Sequence, residues 1–115
     1  MSRAPGQPHR VLFICSRNQW RSPTAEQVWR RHPDIQCRSA GTSTRARRTV
    51  TAGDVQWADV IYVMETKHRN RIQAHFGRLV TYTPIVVLNI PDDYDYMDAD
   101  LVAIFESELD AFLAT

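Results

Sequence analysis

The sequence predicts an α/β domain: a four-stranded parallel sheet, doubly wound into three layers with helices on both faces. Three observations predict it. A short apolar run rich in strand formers occurs at 11–14, and 35–39, 60–64 and 85–88 read as further strands. Segments with helical spacing and helix-start signals follow each of them, so strand and helix alternate along the chain. A length of 115 residues suits one domain. Residues 1–10 read as a mobile lead-in and 11–115 as the domain.

Each element has a local reason. Val11-Leu12-Phe13-Ile14 suits a strand buried on both faces. A polar loop runs from Cys15 to Arg21. Ser22-Pro23 then opens a helix, with Ser22 as its cap and Pro23 in the first turn. Ala25, Val28, Trp29 and His32 repeat at helical spacing, and His32-Pro33-Asp34 ends the helix. The second strand, 35–39, closes at Ala40-Gly41. A basic loop, 42–48, leads to Thr51-Ala52-Gly53-Asp54, a capping box with Asp in place of Glu, and a short helix to Ala58. The third strand is 60–64. Thr66 caps a helix that runs to Phe76 and stops at Gly77. After the fourth strand, 85–88, a proline-acid loop precedes a last helix. Its Leu101, Ile104, Phe105, Leu109, Phe112 and Leu113 form one apolar stripe. Crossovers in such a sheet are right-handed. Ligands sit beyond the carboxyl ends of the strands, where strand order reverses. The Cys15 loop leaves the carboxyl end of the first strand.

Composition narrows the function classes. No run of about 18 apolar residues exists, so no membrane span is expected. MSRAPGQPHR lacks the apolar core of a signal peptide. Two cysteines, Cys15 and Cys37, are too few for a disulfide framework, and a reducing, cytoplasmic setting is expected. The net charge of +1 is unevenly spread. Every Lys and Arg lies at or before Arg78, and from Leu79 onward all charges are acidic. Nearly all the basic residues are Arg, which forks onto phosphate or carboxylate; compositional bias accounts for this equally well. Arg45, Arg47 and Arg48 can attract an acidic phosphopeptide, a nucleotide or RNA, although a solvated basic loop is the commoner case. His9, His32, His68 and His75 have no metal-binding spacing and read as surface or core residues, so no metal is expected.

The segment that carries chemistry is Cys15-Ser16-Arg17-Asn18-Gln19-Trp20-Arg21-Ser22-Pro23. A strand, a tight loop and a helix start make an anion cradle: loop N–H groups converge, and the helix end adds free donors and a positive dipole end. A thiolate there is a nucleophile. Arg21 can hold two phosphate oxygens and stabilise charge on a transferring phosphoryl group. Ser22 can give its hydroxyl hydrogen to the Cys15 sulfur. A buried structural thiol is the plainer alternative for Cys15. The strand before it and the helix start after it favour the anion site.

Cys-x5-Arg-Ser-Pro after Val-Leu-Phe-Ile resembles the low-molecular-weight protein tyrosine phosphatases. Ser39-Ala40-Gly41-Thr42 resembles that family's segment after the second strand. Ala58-Asp59-Val60-Ile61-Tyr62-Val63-Met64-Glu65 resembles its third strand and closing Met-acid pair, and Ile90-Pro91-Asp92-Asp93-Tyr94 its late acid loop, usually Asp-Pro-Tyr. The matches run in family order from Val11 onward. The resemblance implies phosphomonoester hydrolysis through a cysteinyl-phosphate intermediate, without a cofactor, on a phosphotyrosine protein or a small aryl phosphate. It makes Cys15 the nucleophile, Arg21 the phosphate clamp, and Ser16, Arg17, Asn18, Gln19, Trp20, Arg21 and Ser22 the phosphate-binding loop. Asn18 holds the loop in shape with Ser39 as partner, and Ser22 assists Cys15. Asp92 is the general acid and later the base, supported by Asp93 and Tyr94. It is assigned over Asp93 because proline normally precedes the tyrosine. A separate acid makes physical sense, because an alkoxide or phenoxide leaves poorly without a proton. Crowded carboxylates favour the protonated form an acid needs. Without the resemblance, these acids read as a solvated turn and a helix cap.

The sequence also departs from the family. It is shorter than typical members, around 42–48 and between 77 and 85. The first of these loops lacks the aromatic residue that normally walls the substrate ring. Trp20, Tyr94 and Tyr96 are the candidate replacements, with packing on the core as the alternative for Trp20. Gln19 and Trp20 stand where many members carry a second loop cysteine. Cys37, on the next strand, is the remaining candidate partner for Cys15. Two rival functions stay open: an arsenate reductase on the same fold, although no cysteine follows Cys37, and a non-catalytic phosphate- or phosphoprotein-binding module, which needs neither Cys15 nor an acid-loop Asp.

Overall fold

Along β1 (His9–Cys15) the side chains alternate between two cores. Val11, Phe13 and Cys15 enter one cluster; Leu12 and Ile14 enter the other. A strand buried on both faces belongs in the middle of a sheet covered on both sides. The structure, a computed structural model, describes residues 7–114 and places β1 there. The remaining elements are α1 (Arg21–Trp29), β2 (Ile35–Gly41), α2 (Ala52–Trp57), β3 (Val60–Val63), α3 (Thr66–Phe76), a 3-10 turn (Gly77–Val80), β4 (Ile85–Val87) and α4 (Ala99–Leu113). The sheet order is β2-β1-β3-β4, and every pairing is parallel.

Helices α1 and α4 supply Ala25, Val28, Trp29, Leu101 and Phe105 to the first cluster, while α2 and α3 supply Val55 and Ile72 to the second. The first face is aromatic. Phe13 meets Trp29 edge-on at 5.0 Å, and Tyr62 and Phe112 pack on the same indole. Such pairs contribute about 0.5–1.5 kcal/mol each beyond burial. The Trp29 indole N–H donates to the Phe105 carbonyl at 2.9 Å, which ties α1 to α4. From β1 the chain moves to β2 on one side and then crosses to β3 on the other. The switch point therefore lies between β1 and β3, at the carboxyl end where Cys15 leaves the sheet.

The structure corrects several element boundaries. β1 begins at His9, earlier than Val11, because the His9 N–H donates to Asp34 O at 2.8 Å and its ring meets Phe112 at 5.1 Å. The expected lead-in thus loses its end to the sheet, and residues 1–6 lie outside the described residues. Ser22 is not the cap of α1. The helix starts at Arg21, and the Ser22 hydroxyl is committed to Asn18 and Cys15 instead. The helix ends at Trp29, before His32. Thr66 is the first residue of α3, with Glu65 at the cap position. Gly77 keeps helical angles, so the chain continues as a 3-10 turn to Val80. Leu113 lies at the exposed end of the α4 stripe.

The capping box of α2 is present. The Thr51 N–H donates to Asp54 Oδ2 at 3.0 Å, and the Asp54 N–H donates to Thr51 Oγ1 at 3.2 Å. The Asp54 carboxylate also receives Arg48 and Arg38. Burial alone would raise its pKa; the hydrogen bonds from Arg48 and Thr51 hold it below the usual carboxylate value. Arg38 in turn stacks over Trp57 at 4.2 Å. This cluster anchors the end of the basic loop, which matters for the site.

Candidate active site

The Cys15 loop is shaped from outside by residues 42–47. The Thr42 N–H donates to Cys15 O, the Ser43 N–H to Ser16 O and the Arg47 N–H to Arg17 O, each at 3.0 Å. Arg47 Nε donates to Asn18 O, also at 3.0 Å. Four successive loop carbonyls are therefore drawn to one side. In a trans peptide the next residue's N–H points opposite to the carbonyl. The N–H groups of residues 16–19 consequently face away from residues 42–47. Asn18 has φ 54°, the left-handed turn that lets successive N–H groups converge into an anion nest. Gly41 passes directly beneath. A Cβ there would sit 2.5 Å from Ser16 O and 2.6 Å from Ala46 Cβ, so only glycine fits.

A buried polar chain sits behind the nucleophile position. Ser39 Oγ donates to Glu26 Oε1 at 2.6 Å. Its oxygen is left to accept, and Asn18 Nδ2 donates to it at 2.9 Å. The other Asn18 amide hydrogen goes to Ser22 Oγ at 2.9 Å. Ser22 Oγ lies 2.9 Å from Cys15 Sγ. With its oxygen accepting from Asn18, Ser22 is free to turn its own hydrogen toward the sulfur. The Glu26 carboxylate thus orients Ser39 and, through it, the Asn18 amide, while the Ser22 hydrogen has the Cys15 sulfur at 2.9 Å and the Ala40 carbonyl at 3.5 Å as acceptors.

Arg21 is almost fully buried, at 2% exposure. Its Nη1 donates to Glu65 Oε1 at 2.6 Å and to Ile90 O at 2.8 Å. Both Nη1 hydrogens are then committed, leaving Nη2 and Nε, the latter ion-paired with Asp92 at 3.5 Å, as the remaining edge of the guanidinium. The hydrogen bond from Arg21, and its charge, hold the Glu65 carboxyl below the usual range. The acid loop is pinned at both ends: the Ile90 N–H to Met64 O at 2.9 Å, and the Met97 N–H to Thr24 Oγ1 at 2.9 Å. Asp92 lies between these pins, its Oδ1 3.5 Å from Arg21 Nε. Cys15, Ser16, Arg17, Gln19, Trp20, Arg21 and Asp92 line one small cleft.

His68 sits under the loop, 1% exposed. Burial and the nearby Arg21 and Lys67 charges push its pKa down to about 4, against the opposing Glu65 and Asp92 carboxylates. The unfolded ring binds its proton near 6.5 and the folded ring only near 4. Between those values the unfolded state holds more protons, so stability falls as pH drops through this window. The loss attributable to His68 is at most about 3 kcal/mol. Urea unfolding from pH 7.5 to 4.5 is expected to show this slope in wild type and to show it reduced in His68→Asn. Equal slopes in both would count against it.

Comparison with known proteins extends the fold assignment. No protein-family model matches the sequence, and no curated protein matches it. Solved structures do match. The tyrosine phosphatase Wzb from Escherichia coli K30, in complex with phosphate, superposes with a TM-score of 0.73 at 21% identity, covering 92% of this chain and 96% of that one. SP-PTP, a low molecular weight protein tyrosine phosphatase from Streptococcus pyogenes, gives 0.74 at 18% identity, covering 92% and 91%. YwlE arginine phosphatase from Geobacillus stearothermophilus gives 0.72 at 17%, covering 93% and 94%. This is the low-molecular-weight protein tyrosine phosphatase fold.

On that fold the expected site residues divide. The structure brings Cys15, Ser16, Arg17, Gln19, Trp20, Arg21 and Asp92 to the cleft, and sets Asn18, Ser22 and Ser39 directly beneath it. Asp93 is exposed and outside the cleft lining, and Tyr94 packs against the first core cluster. Trp20 is 42% exposed at the cleft rather than packed on the core. Arg47 and Arg48 brace the loop and β2 through Asn18 O, Ser39 O and Asp54. Arg45 remains exposed.

Cys37 is not a partner for Cys15. It pairs in register with Val11, four residues from the Cys15 end of β1, so the two lie roughly 13 Å apart, beyond disulfide reach. Both cysteines are free, and burial with the Glu26 charge pushes the Cys37 thiol up to about 12. Among the described residues, no helix is long and apolar enough to cross a membrane, and no cluster of three His, Cys, Asp or Glu could hold a metal.

Sequence reasoning missed Glu26, Glu65, Arg47 and His68 as parts of the site. Glu26 follows Ser22 by four residues on α1, a spacing that puts both on one helix face. Glu65 and His68 are three apart at a helix start, a spacing that places their groups in reach of each other.

Proposed function

We propose that the protein is a phosphatase of the low-molecular-weight type, hydrolysing phosphomonoesters through a cysteinyl-phosphate intermediate on Cys15. One observation carries this reading: Cys15, Arg21 and Asp92 line one cleft with the loop residues Ser16, Arg17, Gln19 and Trp20. In the first step Sγ attacks phosphorus, an S–P bond forms and the ester P–O bond breaks. Asp92 gives its proton to the departing oxygen. In the second step water attacks phosphorus, Asp92 takes its proton, and the S–P bond breaks. Ser22 stabilises the thiolate released. The nest and Arg21 hold the equatorial oxygens throughout. Trp20 at the rim offers a flat apolar wall, which favours a phosphotyrosine side chain or another aryl phosphate. Two free thiols fit a reducing, cytoplasmic setting.

Asp92→Ala tests the reading through the leaving group. For phenyl phosphate, kcat is expected to fall about 10²–10⁴-fold; for 4-nitrophenyl phosphate, whose phenolate needs less help, the loss is expected to stay under about tenfold. Asp93→Ala is expected to change neither by more than about twofold, because Asp93 lies outside the cleft lining. An equal loss on both esters would remove Asp92 as the acid. Vanadate binding with no turnover by wild type would leave a phosphate-binding module in place of an enzyme.

A further inference from the structure

Three groups meet behind the cleft: Ser16 on the loop, Glu65 at the cap position of α3, and His68 within α3. The Glu65 peptide N–H donates to His68 Nδ1 at 3.0 Å. A backbone N–H can only donate, so Nδ1 is the bare nitrogen of the ring. In a neutral imidazole the proton then sits on Nε2. Nε2 lies 2.9 Å from Ser16 Oγ. The ring is therefore the donor and the serine oxygen the acceptor.

This settles what Ser16 can offer the cleft. Its hydroxyl carries one hydrogen and two lone pairs. One lone pair is taken by His68, and the hydrogen is free. Ser16 lines the cleft beside Cys15 and Arg21. An untethered hydroxyl can present either a hydrogen or a lone pair, and a lone pair facing an anion is repulsive. With the His68 N–H on one lone pair, the orientation that points hydrogen at the anion is favoured. We infer that His68 is a positioning residue that holds Ser16 as a side-chain hydrogen-bond donor to a bound phosphoryl oxygen, adding to the backbone nest. The inference rests on the reading of the cleft as a phosphate site.

Two substitutions separate this role from support of α3. Asn at 68 places a polar atom at the level of Nδ1 and can keep the Glu65 N–H satisfied, but it does not reach Ser16. Gln at 68 reaches the level of Nε2 and can donate to Ser16, but it abandons the Glu65 N–H. Affinity for inorganic phosphate is measured by calorimetry, and the tautomer of His68 by ¹⁵N NMR. The expected tautomer carries hydrogen on Nε2. Ser16→Ala is expected to weaken phosphate binding about 10–100-fold, the effect of losing a hydrogen bond to a charged group. His68→Asn is expected to weaken it about 2–10-fold, the effect of leaving one side chain unordered. His68→Gln is expected to stay within about twofold of wild type. Ser16→Ala combined with His68→Asn is expected to bind no more weakly than Ser16→Ala alone, because His68 acts through Ser16. An Nδ1–H tautomer, equal affinities for the Asn and Gln variants, or additive losses would overturn the inference. If wild type binds phosphate with the expected pattern yet hydrolyses no aryl phosphate, the positioning role stands and the catalytic reading falls. If wild type turns over and the Asn and Gln variants bind alike, only the positioning role falls.

Discussion

Cys15→Ser is expected to lower kcat for an aryl phosphate by on the order of 10⁴-fold or more while leaving inorganic phosphate affinity within about threefold. The two halves have different causes. A serine hydroxyl is not ionised near neutral pH, and the neighbouring Ser22 hydroxyl, 2.9 Å from Sγ, is too weak a base to activate it. The anion donors do not depend on the sulfur. The N–H groups of residues 16–19 are aimed by carbonyl contacts to residues 42–47, and Arg21 is held by Glu65 and Ile90. Steady-state kinetics and phosphate calorimetry on the same preparation check both halves. Turnover within tenfold of wild type would remove Cys15 as the nucleophile. Full loss of phosphate binding would show that the cradle needs the sulfur to keep its shape.

Much of the fold was legible because the strands announce themselves. Val11 to Ile14 suited a buried strand, since a strand buried on both faces is continuously apolar. Thr51 and Asp54 gave a helix start because both halves of that box are local in sequence. The boundaries that failed were decided by distant partners. Ser22 looks like a cap from its neighbours alone, yet Asn18 and Cys15 claim its hydroxyl. His9 looks like part of a tail, yet Phe112 and Asp34 draw it into the sheet. The site followed the same rule. Cys15 to Ser22 are consecutive, so their meeting follows from one strand-loop-helix turn. Asp92 was reachable only through resemblance, because nothing local says which acid of 92–95 faces the loop. Glu26, Glu65, Arg47 and His68 support the site through contacts spanning 13 to 52 residues. The i, i+4 and i, i+3 spacings pair Ser22 with Glu26 and Glu65 with His68, but only the packed chain shows which of these polar groups share one hydrogen-bond network with the loop.

Arg21→Lys is expected to lower kcat/KM for an aryl phosphate by about 10²–10³-fold, with Glu65→Gln costing about tenfold. The charge survives the first change, so the effect comes from geometry. Arginine divides its donors among three nitrogens: Nη1 serves Glu65 and Ile90 O, while Nη2 and Nε, the latter beside Asp92, form the edge that an anion would meet. Lysine has one nitrogen with three hydrogens and cannot satisfy Glu65, the Ile90 carbonyl and two phosphoryl oxygens together. Whichever it abandons, the fork is lost. Glu65→Gln keeps an oxygen that can accept from Nη1 and removes only its charge, so the guanidinium stays near its place with less force on it. The Arg21 hydrogen bond holds the Glu65 carboxyl below the usual range, so its pairing is complete at neutral pH and weakens as pH falls through that lowered value. In wild type this adds an acid-side loss of kcat/KM that Glu65→Gln is expected to lack, and paired pH–rate profiles read it directly. Arg21→Lys activity within tenfold of wild type would mean that a point charge suffices, and that the buried fork serves the loop's stability rather than the phosphoryl group.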